Sequence, residues 1–119
     1  MLKVTVIIPN YNYAPYLARR IQNILAQSQQ PAEIIFLDDA SSDNSLVVAE
    51  EILKNQPIAY QIIANTDNQG VFKQWLKGVE CAKHDIIWIA EADDFSEPHF
   101  LAKLLLLCWL FLFALLSEE

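Results

Sequence analysis

The sequence predicts an α/β fold with a mainly parallel sheet flanked by helices. Three observations carry that expectation. Short β-branched runs alternate with helical patterns in the order β-α-β-α-β-α-β-α, which crossover connections build into a parallel sheet with helices on both faces. The chain is 54% hydrophobic with only two glycines, so a packed core is expected and a disordered chain is not. The polar segments "PNYN", "DDASSD" and "EADD" each follow a strand, where open α/β sheets bind ligands. At 119 residues the chain is one domain at most.

Residues 3–8, "KVTVII", read as a strand stopped by Pro9. Residues 15–28 follow as a helix, with Pro15 in its first turn and Leu17, Ile21, Ile24 and Leu25 on one face. Residues 33–38, "EIIFLD", form a second strand, and Ser42 or Asp43 offers an N-cap to a helix over about 43–54. Residues 58–64 read as a third strand and "NTDNQG" as a loop. Residues 70–83 are helical, with Val71, Phe72, Trp75, Leu76 and Val79 on one side, and "DIIWIA" is the fourth strand.

The far end differs in kind. Residues 104–116, "LLLLCWLFLFALL", are apolar without interruption, and Phe100 to Ala102 extend the run backwards past Lys103. The run falls at or just short of the roughly 17–25 residues of a spanning helix, and it has no polar stripe. Three readings stand for the segment 104–119: a helix buried on all sides, a membrane-associated or self-associating segment, or a truncated or frame-shifted end. An exposed apolar patch of that size drives self-association unless covered, so a homo-oligomer is a further expectation.

The formal net charge of −7 argues against a general nucleic-acid binder, which needs a basic face. It leaves room for a nucleotide ligand, because a metal can supply positive charge. Cys81 and Cys108 are too few and too far apart for a disulfide framework or a zinc site, and read as buried free thiols in a reducing compartment. The start "MLKVTVIIPN" has one lysine and reaches proline before any long apolar run, so it does not read as a signal peptide and a cytoplasmic setting is expected.

Neither G-x-G-x-x-G nor G-x-x-x-x-G-K-[ST] occurs, so dinucleotide-fold and P-loop readings lose their physical basis. The crowded acids Glu91, Asp93 and Asp94 repel one another unless something positive sits among them. A solvated turn is one reading. The other is Mg²⁺ or Mn²⁺ bridging protein carboxylates to phosphate oxygens, which would also stabilise charge developing on a departing diphosphate. Asp38 and Asp39 form a second acidic pair, either as caps or as acceptors for a base imino N–H or a ribose hydroxyl. Tyr11 is either a packing residue or a face on which a base stacks.

Four ordered segments carry a resemblance: "VTVIIPNYN" at 4–12, "FLDDASSDNS" at 36–45, "NQG" at 68–70 and "WIAEADDFSEPHFL" at 88–101. Together they resemble the nucleotide-binding half of family-2 glycosyltransferases, over about residues 3–103. The run "GVFKQWLKGVECAKHDIIWIAEADDF" is especially similar to bacterial members that build cell-surface polysaccharides. The resemblance implies a Rossmann-like GT-A nucleotide-binding half in residues 1–103 and inverting transfer from a UDP-, dTDP- or GDP-sugar to a glycan or lipid-linked acceptor. It also implies a setting in the cytoplasm or at the inner face of the membrane.

By the same resemblance Pro9 and Tyr11 lie beside the base, and Asp39 binds the nucleoside at its base edge. "EADD" is the DxD region, with Glu91 in the first acidic place and Asp93 in the second. Asp93 and Asp94 are the implied ligands of Mn²⁺ or Mg²⁺, and Glu91 and Asp93 the implied contacts to sugar or diphosphate. Where many relatives carry an Arg able to reach diphosphate, this chain has Trp75 flanked by Lys73 and Lys77. Either lysine can stand in as a point charge, with Lys73 the named candidate, and a solvated helical face is the other reading for at least one of them.

The family's general base is expected in the second half of the domain, beyond this chain's end. Asp43 and Glu97 are spare carboxylates, and neither sits where that base belongs. Two alternatives follow: a fragment or degenerate homologue that binds nucleotide and metal without transfer, and a response-regulator-like signalling domain. The latter wants an acidic pair after the first strand, where this chain has "PNYN".

Overall fold

A computed structural model describes residues 2–117, so Met1, Glu118 and Glu119 at the ends of the two expected segments lie outside the described residues. Four strands, β1 (Val4–Asn10), β2 (Glu33–Asp38), β3 (Ala59–Ala64) and β4 (Ile86–Ile89), alternate with α1 (Ala14–Leu25), α2 (Ser45–Leu53), α3 (Val71–Cys81) and α4 (Phe100–Ser117). All pairings are parallel, in the order β3-β2-β1-β4. The expected fold class is therefore the observed one.

β1 is central and buried along its whole length, which explains its continuous apolar run. Its even positions Val4, Val6 and Ile8 join Leu17, Ile21 and Ile24 of α1, Ala49 and Leu53 of α2, and Leu101 of α4 in the main core. The odd position Ile7 joins Ile35 and Leu37 in a smaller core on the other face, completed by half-buried Ile63, Cys81, Ala82, Ile87 and Ile89. The chain steps from β1 out to β3, then returns to β4 on the opposite side of β1. That reversal makes a switch point between the carboxyl ends of β1 and β4, the usual ligand crevice of such sheets.

The first strand does not stop at Pro9. It runs through Pro9, paired with Leu37, to Asn10, paired with Asp38. In a parallel ladder alternate residues bond to opposite neighbours. Val4 and Asn10 accept from Ala32 and Asp39 on the β2 side, whereas Ile7 accepts from Ala90 on the β4 side. Pro9 shares the parity of Ile7, and β4 pairs with β1 only as far as Ile7. Its missing N–H therefore costs no bond of the ladder.

Helix bounds move for local reasons. The first helix ends at Leu25, short of residue 28, because Ser28 N–H turns away to bond Pro98 O at 2.9 Å. The second begins at Ser45, whose N–H donates to Asp43 Oδ1 at 3.0 Å while Asp43 Oδ2 accepts from Ala14 N–H at 3.0 Å. Asp43 thus caps α2 from just outside it and ties down the start of α1. Burial opposes its ionisation, yet its bonds from the Ser45 hydroxyl, Ala14 N–H and Ser45 N–H outweigh that, and its pKa lies below the usual carboxylate value.

The third helix keeps its apolar stripe on one side, but that side faces solvent. Phe72 is 68% exposed, and Trp75, Leu76 and Val79 are also exposed. The buried residues of α3 are Gln74 and Gly78. A Cβ at Gly78 would lie 2.7 Å from both Ile7 Cδ1 and Cγ2, so the missing side chain sets how closely α3 approaches β1. The apolar C-terminal run is one helix from Phe100, and it is not buried on all sides: Leu101 is its one buried residue among those described. Leu106 to Phe113 and beyond stand largely in solvent.

Candidate functional site

Two loops are stitched together at the carboxyl end of the sheet. Asp38 is 1% exposed, and its Oδ1 accepts from Asn10 Nδ2 at 3.0 Å and from the Ser41 hydroxyl at 2.7 Å. Its Oδ2 accepts from Ser41 N–H at 2.9 Å. Asp38 is therefore a turn-former, the capping type of role, with its lone pairs turned inward. Asn12, at φ 57°, uses its side-chain oxygen to accept from Ser42 N–H at 2.8 Å. Ala40 is also left-handed, at φ 63°. Left-handed backbone at a non-glycine residue costs about 1 kcal/mol, which these loop bonds offset.

The strained turn delivers its neighbour Asp39. This carboxylate is 4% exposed and sits at the start of α3. Oδ1 accepts from Gln69 N–H at 2.7 Å and Asn65 Nδ2 at 2.9 Å; Oδ2 accepts from Gly70 N–H at 2.9 Å. Gly70 holds φ 90°, a backbone only glycine adopts without strain, and so turns its N–H towards the acid. Burial works against ionisation of Asp39, but the bonds from Gln69, Asn65 and Gly70, with the charge of Lys77, outweigh it and hold its pKa below the usual value. An ionised carboxylate offers about four acceptor sites. Three are filled, two on Oδ1 and one on Oδ2, by donors among the described residues.

A second layer fixes this arrangement. The Gln74 side chain donates to Leu37 O at 3.1 Å and accepts from Asn65 Nδ2 at 2.9 Å, and Lys77 Nζ donates to Asn65 Oδ1. The need to reach Leu37 and Asn65 explains why α3 turns Gln74 inward and its apolar stripe outward. Sequence reasoning missed Asn10, Asn12, Ser41, Asn65 and Gln74. Polar residues at strand ends were its signal for ligands, and nothing in the chain separates those that bind ligands from those that bind loops.

Pro9, Asn10, Tyr11, Tyr13, Asp39, Val71, Gln74 and Glu91 line a cleft of about 50 Å³ at the switch point. Four residues singled out in the sequence thus meet in one place: Pro9, Tyr11, Asp39 and Glu91. Tyr11 is half exposed. Glu91 Oε1 accepts from Trp75 Nε1 at 3.0 Å, so the residue in the expected arginine's place grips the first acid of "EADD".

Asp93 and Asp94 lie in the same turn, both exposed, and neither lines the cleft. Asp94 Oδ1 accepts from Phe95 N–H at 2.7 Å. Among the described residues no three His, Cys, Asp or Glu side chains converge as a ready-made metal cage. Mg²⁺ and Mn²⁺ are commonly held by one or two carboxylates, with phosphate oxygens and water completing the shell, and two exposed carboxylates fit that pattern. Lys73 is exposed on α3 and does not line the cleft, whereas Lys77 points towards Asn65.

A model described as glycosyl transferase family 2 matches residues 5–107. The chain belongs to this family. An uncharacterised glycosyltransferase of Nostoc, alr2836, is 37% identical over 103 residues, covering 87% of this chain and 32% of the relative. The glycosyltransferase GlyG of Streptococcus pneumoniae is 29% identical, covering 85% of this chain and 33% of its own length. This family-2 chain therefore spans about a third of the length of such curated relatives. Among solved structures, the mannosyltransferase PcManGT of Pyrobaculum calidifontis, in complex with GDP-Man and Mn²⁺, superposes with a TM-score of 0.74 at 27% identity, covering 80% of this chain and 28% of that one. S. aureus TarS with UDP shares the fold, at a TM-score of 0.76 and 22% identity over 86% of this chain and 30% of that one.

Proposed function

We propose that this glycosyltransferase domain holds a nucleotide-diphospho-sugar at the β1/β4 crevice with the help of Mn²⁺ or Mg²⁺, for inverting sugar transfer. The observation that carries the reading is the meeting of Pro9, Tyr11, Asp39 and Glu91 in one cleft at the switch point. The base stacks on Tyr11 beside Pro9, and Asp39 Oδ2 accepts its N–H. Glu91, steadied by Trp75, faces the sugar or diphosphate, with Asp93 beside it.

Asp93 and Asp94 hold the cation, which when bound supplies charge stabilisation for the departing diphosphate. Lys73 contributes a point charge on the diphosphate side. An inverting transfer also needs a base for the acceptor proton, and that role is assigned to no residue of this chain. GDP-Man and Mn²⁺ in PcManGT support the donor class and the metal. The glycan or lipid-linked acceptor and a part in cell-surface polysaccharide synthesis rest on the resemblance of residues 70–95.

The test is a calorimetric titration with UDP, dTDP and GDP, each with and without Mn²⁺. Binding that requires one nucleotide and the metal together supports the donor site and names its base. No heat with any pair refutes it. Metal-dependent binding without sugar turnover on any acceptor favours the binding-only alternative.

We further propose that α4 places the domain against a membrane, on its cytoplasmic face. Its 18 residues are apolar apart from Lys103 and Ser117, and they are mostly exposed. At about 1.5 Å per residue such a helix is roughly 27 Å long, close to a bilayer's hydrocarbon thickness. Co-sedimentation with phosphatidylcholine vesicles, lost in a Leu107→Asp/Phe111→Asp variant, is the expected result. A parent chain left in the supernatant as a defined oligomer would replace the membrane with self-association.

A further inference from the structure

The acidic turn is held from below by one polar stripe. Arg20 and Asn23 of α1 and Gln27 just beyond it are spaced three and four apart, and all three reach the 91–101 segment. Arg20 Nε donates to Glu91 O at 3.0 Å, and its Nη1 donates to the Ser96 hydroxyl at 3.1 Å and to Asn23 Oδ1 at 3.0 Å. Asn23 Oδ1 also accepts from Ser96 N–H at 3.0 Å, and Asn23 Nδ2 donates to Ser96 O. Gln27 donates to Glu97 O at 2.9 Å and accepts from Leu101 N–H at 3.0 Å.

Arg20 is 2% exposed. Its guanidinium lies 5.4 Å from the centre of the Trp88 ring, and no carboxylate among the described residues comes within ion-pair distance of it. Burial holds its pKa below the usual arginine value, opposed only in part by the charges of Asp94, Asp93 and Glu91. The buried guanidinium is thus bonded to the backbone and hydroxyl of the turn that carries "EADD", through Glu91 O and Ser96. Among the described residues Asp93 and Asp94 make no side-chain bond to the body of the domain, since the bond at Asp94 goes to its own neighbour Phe95. Where these two carboxylates stand is decided by what anchors Glu91 and Ser96.

We propose that Arg20, backed by Asn23, is the positioning residue that fixes the 91–96 turn for diphosphate and metal. Its fork joins the two ends of that turn, Glu91 O and the Ser96 hydroxyl, with the planar geometry that a lysine lacks. The role rests on the donor-site reading for its purpose but not for its test. Arg20→Gln, Arg20→Lys and Asn23→Ala are compared with the parent by amide hydrogen exchange.

The expected result is exchange about tenfold faster at residues 92–97 in all three variants, with β1 and β2 amides unchanged. Unchanged exchange in the turn overturns the proposal, as does equal acceleration in the strands, which marks Arg20 as a core residue only. Full restoration by Arg20→Lys also overturns it, because charge alone would then suffice. In a second arm the Mn²⁺-dependent affinity for UDP or GDP falls about tenfold in Arg20→Gln, while affinity for uridine or guanosine is unchanged. Equal losses for nucleoside and nucleotide overturn the positioning role. If the parent binds no nucleotide, the donor-site reading falls and the exchange arm still decides the role of Arg20.

Discussion

Asp39→Asn is the sharpest test of how the cleft is built. The carboxylate accepts three bonds, from Gln69 N–H at 2.7 Å, Asn65 Nδ2 at 2.9 Å and Gly70 N–H at 2.9 Å. An amide has one oxygen. With that oxygen in the place of Oδ1, the new NH₂ confronts Gly70 N–H; flipped, it confronts Gln69 N–H and Asn65. At least one bond to a charged acceptor is lost and a donor is left facing a donor, at a cost of about 1.5–3 kcal/mol for the bond and a further 1–2 kcal/mol for the mismatch. We expect about 3 kcal/mol of destabilisation in urea titration, and a melting temperature lower by roughly 10–20 °C for a domain of this size.

The pH dependence adds a second readout. The pKa of Asp39 is lower in the folded chain than in the unfolded one. Its contribution is therefore fully present above the ordinary carboxylate pKa and is lost as pH falls through the folded value. The gap between parent and variant should be widest at neutral pH and close in acid. A variant within about 0.5 kcal/mol of the parent at pH 7, or a gap independent of pH, would show that these bonds do not carry the energy assigned to them.

Three further substitutions probe other links. Asp93→Asn should abolish Mn²⁺-dependent nucleotide binding and leave the circular dichroism and melting curve unchanged; equal affinity by calorimetry would refute the metal assignment. Ala40→Gly relieves the φ of 63° and should stabilise the fold by about 0.5–1 kcal/mol, read as a higher urea midpoint; a lower midpoint would mean that the turn is not strained. Gly78→Ala puts a methyl 2.7 Å from Ile7 and should cost about 1–3 kcal/mol as α3 is pushed off the sheet; an unchanged midpoint would be evidence against the close approach.

The sheet was legible because buried parallel strands write themselves as uninterrupted apolar runs, and β1 and β2 are buried throughout. The crevice was legible because clusters of polar residues, "PNYN", "DDASSD" and "EADD", follow the carboxyl ends of those runs. Pro9 misled because whether a strand tolerates proline depends on which neighbour that residue faces, and pairing partners lie far apart in sequence. The orientation of α3 was hidden for a similar reason. Its pattern gives a stripe, and only Gln74 bonding to Leu37 and Gly78 lying on Ile7 decide which side faces inward. Arg20 was invisible because a helical arginine ordinarily reads as solvated, and its partner Glu91 stands 71 residues away.

Pro9 has one more effect. β1 and β4 run side by side until Ala90 N–H reaches Ile7 O at 2.8 Å. The next rung in that register would be a bond from residue 9 to the Ala90 carbonyl, and residue 9 has no proton to give. Proline at position 9 therefore leaves that rung without a donor, and the seam between the two strands ends at Ile7, beside the cleft. Any other amino acid there would restore the N–H that such a rung requires.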